Sequence, residues 1–194
     1  MKVAVFGGTN PATNPKWYGV AEQMGKLLVE HGYEMVWGGN AHGVLTKMHK
    51  EFQDKGAKNT LMLPKAYEDD LKSMDTDDVV LIDTIADRTR GMIEKADAII
   101  VMPGGIGTIY EFWSAVEYRR AEEFDFELIL LNYEDFFQYQ LAHYGFIYEH
   151  GFTTITHEAS PYKIDPKDLF AIASSPKAVI KILERLKQKD KNPA

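Results

Sequence analysis

Cysteine is absent from the chain. That excludes in one step a disulfide framework, a thiolate nucleophile and cysteine-based zinc sites, and it fits a reducing compartment. Long apolar runs are missing too. The longest near the N-terminus, Val3 to Phe6, ends at Gly7-Gly8 and is too short for a signal peptide or a membrane span, so a cytoplasmic protein without membrane attachment is expected. Basic residues are in deficit, 22 Lys plus Arg against 29 Asp plus Glu, giving a net charge of -7 and a pI near 5.4. This balance opposes a nonspecific grip on nucleic acid or anionic membrane, so an anionic ligand needs a site built locally. The six histidines form no HExxH pattern, and His42 and His49, seven apart, share at most a helix face, so no metal is expected. No serine stands in a G-x-S-x-G elbow, which argues against an esterase.

What remains has the balance of one globular domain: 194 residues, 45% apolar, 12% aromatic and 26% charged. Such a chain buries roughly 70% of its unfolded surface and needs no metal or disulfide to fold. Apolar segments of strand length alternate with segments of helical periodicity throughout residues 1–194, the pattern of a single α/β domain with a parallel sheet covered by helices on both faces. Strands are expected at Val3–Phe6, Met35–Trp37, Thr60–Leu63, Val79–Ile82, Ala98–Met102 and Leu128–Leu131, with Ala98–Met102, the most apolar, at the centre. Helices are expected up to Gly32, from about Val44 to Lys55, Ile85 to Lys95, after Thr108 to Arg120, Asp135 to His150, and Pro176 to Lys187, the last capped by Ser174 or Ser175. Residues 65–78 are polar and acidic and read as an exposed excursion.

Three of the strands run into glycine pairs, Gly7-Gly8, Gly38-Gly39 and Gly104-Gly105. In an open α/β sheet ligands bind at the carboxyl ends of the strands, and a glycine loop leading into a helix N-terminus is a ready anion site, so the three loops together point to a nucleotide crevice. Each pair taken singly is also ordinary turn chemistry. The Walker pattern is absent, since Gly107 is followed by Thr108-Ile109, and so is G-x-G-x-x-G, the first loop reading Gly7-Gly8-Thr9-Asn10-Pro11. Thr108-Ile109-Tyr110-Glu111 fits a capping box, but Glu111 also stands one turn beyond the glycine loop, within reach of whatever that loop holds. Arg88 and Arg90 are the arginines that could face the crevice; the alternative is solvated pairing with Asp83, Asp87 or Glu94. The aromatic stretch from Phe136 to Tyr148 is core or a subunit interface.

The run Pro103-Gly104-Gly105-Ile106-Gly107-Thr108-Ile109-Tyr110-Glu111 matches PGGxGTxxE and resembles the LOG-like family, the cytokinin riboside 5′-monophosphate phosphoribohydrolases often labelled "possible lysine decarboxylase". The similarity extends over most of the chain, from the opening strand and the Gly38-Gly39 loop through the Arg88 helix to Leu128–Asn132 and Gly151-Phe152. The resemblance implies a Rossmann-like fold, a homodimer, no cofactor, and hydrolysis of the bond between a purine-type base and ribose 5-phosphate. It places the catalytic pair on Arg88 and Glu111, the phosphate on Gly104, Gly105, Ile106, Gly107 and Thr108, and the rest of the nucleotide beside Thr9, Gly38, Gly39 and Met92.

This chain departs from the family pattern in places: Thr89 stands where a Lys is usual, Asn40 where a third Gly is usual, and Tyr110 where a Glu is usual. These changes leave the catalytic pair intact and bear on which base is taken. The competing expectation is a carrier that binds a nucleotide or molybdenum cofactor without cleaving it, which the replaced Thr89 favours. Nothing in the chain reads as a pyridoxal-phosphate lysine with its partners.

Overall fold

The computed structural model describes residues 1–10, 14–39, 42–73, 76, 78–153 and 165–191. Pro11, Asn40, Asp75 and Asp77 lie outside the described residues. Among the described residues the strands are β1 (Lys2–Phe6), β2 (Glu34–Trp37), β3 (Asn59–Pro64), β4 (Val79–Ile82), β5 (Ala98–Val101), β6 (Glu127–Leu131) and β7 (Ala171–Ala173). The helices are α1 (Lys16–Glu30), α2 (Val44–Asp54), α3 (Ile85–Glu94), α4 (Ile106–Arg120), α5 (Gln138–Glu149) and α6 (Pro176–Lys191).

The strands form one parallel sheet in the order β4-β3-β2-β1-β5-β6-β7, a doubly wound α/β fold of Rossmann type. Beyond their first one or two residues the inner strands are apolar, because both faces are covered. Val3, Val5, Met35, Trp37 and Ile100 pack with Met24, Leu28, Met48, Phe52 and Leu183 of α1, α2 and α6. Ala4, Phe6, Val36, Ile99 and Val101 face the other way, onto Met92, Ile93, Phe112 and Ala115 of α3 and α4. The chain order reverses between β1 and β5, neighbours in the sheet, so the loops following these two strands part to opposite faces and leave a crevice.

Local chemistry moves several boundaries from where periodicity puts them. α5 begins at Gln138 rather than Asp135, because Glu134 and Asp135 take positive φ (49° and 55°) in a 3₁₀ turn and the Asn132 side chain accepts a 2.8 Å bond from the Phe137 N–H. The stretch Lys65–Ser73 is 3₁₀ helix, interrupted at Tyr67 (φ -112°, ψ 15°). β7 escapes notice in the sequence since its three residues pair only at the sheet edge and leave Ile172 exposed. Of the two candidate serine caps, Ser175 is the one that accepts from the Ala178 N–H, at 3.3 Å.

Gly43 leads into α2 with φ 87° and ψ -170°, a conformation open only to glycine, and a Cβ there would collide with the backbone of Gly8 and Thr9. Gly43→Ala is therefore expected to destabilise the fold by about 2 kcal/mol or more, read from chemical denaturation. A change under about 0.5 kcal/mol would show that this junction is not constrained as described.

Candidate active site

The loops after β1, β2 and β5 meet around one cavity of about 720 Å³. They are joined through a single residue. The Gly8 N–H donates to the Pro103 carbonyl (3.1 Å), and the Gly8 carbonyl accepts from the Val44 N–H at the start of α2 (2.9 Å). A Cβ on Gly8 would stand 3.3 Å from both Gly104 Cα and the Pro103 oxygen, so glycine is what permits this approach.

Of the residues expected at the site, Thr9, Gly38, Gly39, Arg88, Gly104, Gly105, Ile106, Gly107, Thr108 and Glu111 all line the cavity. Met92 does not: it is fully buried in the core under α3, because its position on that helix turns toward the sheet. Thr89 is also turned inward, buried, and its hydroxyl donates to the Ile85 carbonyl one turn back (3.1 Å). Arg90 faces solvent, pairs with Glu123 at 3.0 Å and lies over the Phe124 ring. Between the two arginines the helix itself has therefore chosen Arg88. His49 is buried and stacks on Trp37, 4.5 Å between centroids, a packing role.

The capping-box alternative for Glu111 fails on register. The N-cap of α4 is Gly105, with no side-chain cap bond, so Thr108 and Glu111 are both inside the helix rather than bracketing its start. Glu111 instead receives a 2.8 Å bond from Arg88 Nη2, with the two side chains 8% and 17% exposed. Gly38 makes room for that guanidinium, since a Cβ there would lie 3.3 Å from Arg88 Cζ. Arg88 Nε is buried and finds no hydrogen-bond partner among the described residues, and Nη1 has only a long contact, 3.5 Å, with the Gly38 carbonyl. The arginine thus keeps donors for a ligand while one nitrogen holds the carboxyl.

At the head of α4, Gly105 and Gly107 face open space, and the first N–H groups of a fifteen-residue helix are unpaired by construction. An anion placed here would meet no lysine; among the described residues that line the cavity, Arg88 is the sole cation. Burial pushes the Glu111 carboxyl up to about 7, against the opposing pull of Arg88 beside it. A group poised there exchanges protons readily at neutral pH. Sequence reasoning missed Asn10, Asn14, Trp17, Leu45, Leu63, Tyr67 and Phe136 as lining residues. Only their nearness to strand ends signalled a role, and aromatic and aliphatic side chains at such places read first as core.

A family model described as "Possible lysine decarboxylase" matches residues 30–170. The chain is 27% identical over 142 residues to a rice protein (Oryza sativa subsp. japonica) named as a probable cytokinin riboside 5′-monophosphate phosphoribohydrolase, the match covering 73% of this chain and 64% of the rice protein. It is 30% identical over 115 residues to the cytokinin riboside 5′-monophosphate phosphoribohydrolase of Mycobacterium tuberculosis, covering 58% and 60% of the two chains. Among solved structures it resembles the molybdenum cofactor carrier protein of Chlamydomonas reinhardtii (TM-score 0.67, 18% identity, 97% of this chain and 98% of that one). It also resembles the molybdenum cofactor binding protein of Rippkaea orientalis (TM-score 0.69, 18% identity, 95% and 96% of the two chains). At such identity the two structures speak for the fold alone.

The raised Glu111 carboxyl has a consequence for stability whose sign is fixed. Above about 4.5 the unfolded chain ionises this group while the folded chain keeps its proton until about 7, so stability falls across that window by up to about 3 kcal/mol and the loss is complete above it. Glu111→Gln removes the titration, so the melting temperature of the variant relative to the parent should climb between about pH 5 and pH 8 in scanning calorimetry. Parallel profiles would contradict the burial of the carboxyl.

Proposed function

This chain belongs to the family described as "Possible lysine decarboxylase", the LOG-like family of its PGGxGTxxE signature, and from that membership and the site's geometry we propose that it is a nucleoside 5′-monophosphate phosphoribohydrolase. It splits the N-glycosidic bond of an AMP-like or cytokinin riboside monophosphate with water, giving free base and ribose 5-phosphate, and uses no cofactor. The observation that carries this is the buried Arg88–Glu111 pair, set one helical turn beyond a glycine-lined helix N-terminus.

The 5′-phosphate sits at the head of α4, where the N–H groups of Ile106, Gly107 and Thr108 and the positive end of the helix dipole meet it. Helical side chains lean toward the N-terminus, so the Glu111 carboxylate reaches back toward the sugar of a nucleotide so held. As the bond to the base breaks, the base departs with the electron pair and positive charge builds on the ribose ring. A fixed carboxylate stabilises that charge more than it stabilises the ground state, and water adds to the same carbon, losing one proton while the departed base takes one up. Arg88 anchors the carboxyl with Nη2, and Nη1, with only its long 3.5 Å contact to the Gly38 carbonyl, is the donor left for the substrate.

Glu111, buried against an arginine, supports a hydrolase over a carrier that only holds its ligand. Schiff-base decarboxylation lacks its amine, because no lysine is among the described residues that line the cavity. The protein acts as a homodimer: α5 has no buried residue in its twelve and exposes Tyr139 (77%) and Phe146 (57%), a face that a second copy would cover. No described helix is long and apolar enough to cross a membrane, and a cytoplasmic setting without nucleic-acid partners accords with the charge and the missing cysteine.

Glu111→Gln should fold, still bind a nucleoside monophosphate and lose about a hundredfold or more in turnover, followed by chromatography of base and ribose 5-phosphate. Arg88→Ala should lower both rate and affinity. Turnover of Glu111→Gln close to that of the parent would refute the mechanism. Nucleosides should be far poorer substrates than their monophosphates, and equal rates would remove the phosphate site from α4. Light scattering should give twice the 22.0 kDa chain mass, a monomer mass excluding the dimer.

A further inference from the structure

The cavity has two ends, and only one of them can hold the base. The loops that line it follow the sheet order, so Phe136 after β6 marks one end, the glycine loop after β5 and the turn after β1 lie in the middle, and Leu63 and Tyr67, at and just beyond β3, mark the other. The phosphate position at the head of α4 belongs to the middle. The reacting carbon belongs beside Arg88 and Glu111, and Arg88 lies against Gly38 at the end of β2. A ligand running from phosphate to reacting carbon therefore travels from β5 toward β3, and the group beyond the breaking bond arrives at Leu63 and Tyr67. From β5 to β3 is three strand spacings, about 14 Å.

The aromatic side chains at the opposite end are already engaged with the protein itself. Trp17 meets Phe136 edge to face at 5.1 Å and Tyr133 at 6.1 Å. The Lys16 ammonium stands 4.4 Å from the Trp17 ring centroid and is held there by a 2.6 Å bond to Glu134. Tyr67 differs on both counts. It is 47% exposed although it lines the cavity, it has, among the described residues, none of the ring or cation contacts found around Trp17, and its own backbone breaks the 3₁₀ segment.

We propose that Tyr67 is the residue that receives the base: its ring packs on the planar heterocycle, with Leu63 forming the apolar floor, and Tyr67 sets which bases are accepted. The inference rests on the phosphoribohydrolase function proposed above. Stacking a base on an aromatic ring is tolerant of base identity, while Leu63 and the half-exposed Tyr67 leave an apolar, partly open margin, so a substituent on the outer edge of the base is accommodated.

The test compares ligands with and without a base. Affinities of AMP and of ribose 5-phosphate are measured by calorimetry for the parent, Tyr67→Ala, Tyr67→Phe and Trp17→Ala, alongside KM and kcat for AMP. Tyr67→Ala should weaken AMP at least about tenfold and leave ribose 5-phosphate within about twofold, while Tyr67→Phe keeps most of the affinity. The loss should appear in KM more than in kcat, and Trp17→Ala should show no base-selective effect. Unchanged AMP affinity in Tyr67→Ala, an equal loss for both ligands, or a base-selective loss in Trp17→Ala in its place would overturn the assignment while leaving the hydrolase intact. A parent protein that neither binds nor cleaves AMP would overturn the hydrolase reading and this inference with it.

Discussion

The site hangs on the peptide of Gly8. Its N–H reaches the loop after β5 and its carbonyl reaches the first turn of α2, so one residue without a side chain ties together elements separated by the reversal of chain order. Any side chain there crowds Gly104 and Pro103, and Gly43 on the other side of the contact is confined to a glycine-only conformation. Two residues without side chains thus set the spacing between the loops, and that spacing is the width of the crevice. The rest of the sheet supplies rigidity: strands apolar on both faces leave the strand ends little freedom to drift.

Within that frame the fold carries one deliberate cost. A carboxyl that is 6% exposed, on a helix that could have placed an alanine there, is costly to ionise, and a single arginine contact offsets this only in part, as the carboxyl held near 7 shows. The arginine is itself incompletely satisfied, with Nε unpaired among the described residues. Structural ion pairs are usually better completed than this. A half-satisfied pair at the end of a glycine-lined cavity is better understood as preorganisation: the groups are desolvated and oriented before the substrate arrives, so little reorganisation is needed when charge develops on it.

Much of this could be read from residue order, and the failures have physical causes. Alternation of apolar strands with amphipathic helices gave the fold, and the glycine pairs marked the strand ends that line the cavity. The signature placed Arg88 and Glu111, and the helix packing then separated Arg88 from Arg90, which periodicity alone left equivalent. Met92 was misplaced because a short motif does not say which face of its helix turns to the core. A helix is expected from Asp135 because the positive φ of Glu134 and Asp135 depends on the Asn132 side chain and the Lys16 ion pair, which no periodicity announces. β7 is too short to carry a period, and the aromatic lining residues have the composition of core.

The charge balance has a last consequence for how a ligand is held. An acidic protein repels a phosphate at long range, and this cavity answers with dipoles rather than lysines, its sole lining cation among the described residues being already bonded to Glu111. Helix N–H groups act only over the first turn and hold an anion through geometry more than through net charge. Such a site captures a nucleotide after contact, not by steering it from a distance. A sugar phosphate left after the proposed cleavage would be held by no more than those same few N–H groups. On the proposed reaction, losing the base also removes the aromatic and aliphatic contacts made to it, so the product would be held less tightly than the substrate, which is what repeated turnover requires.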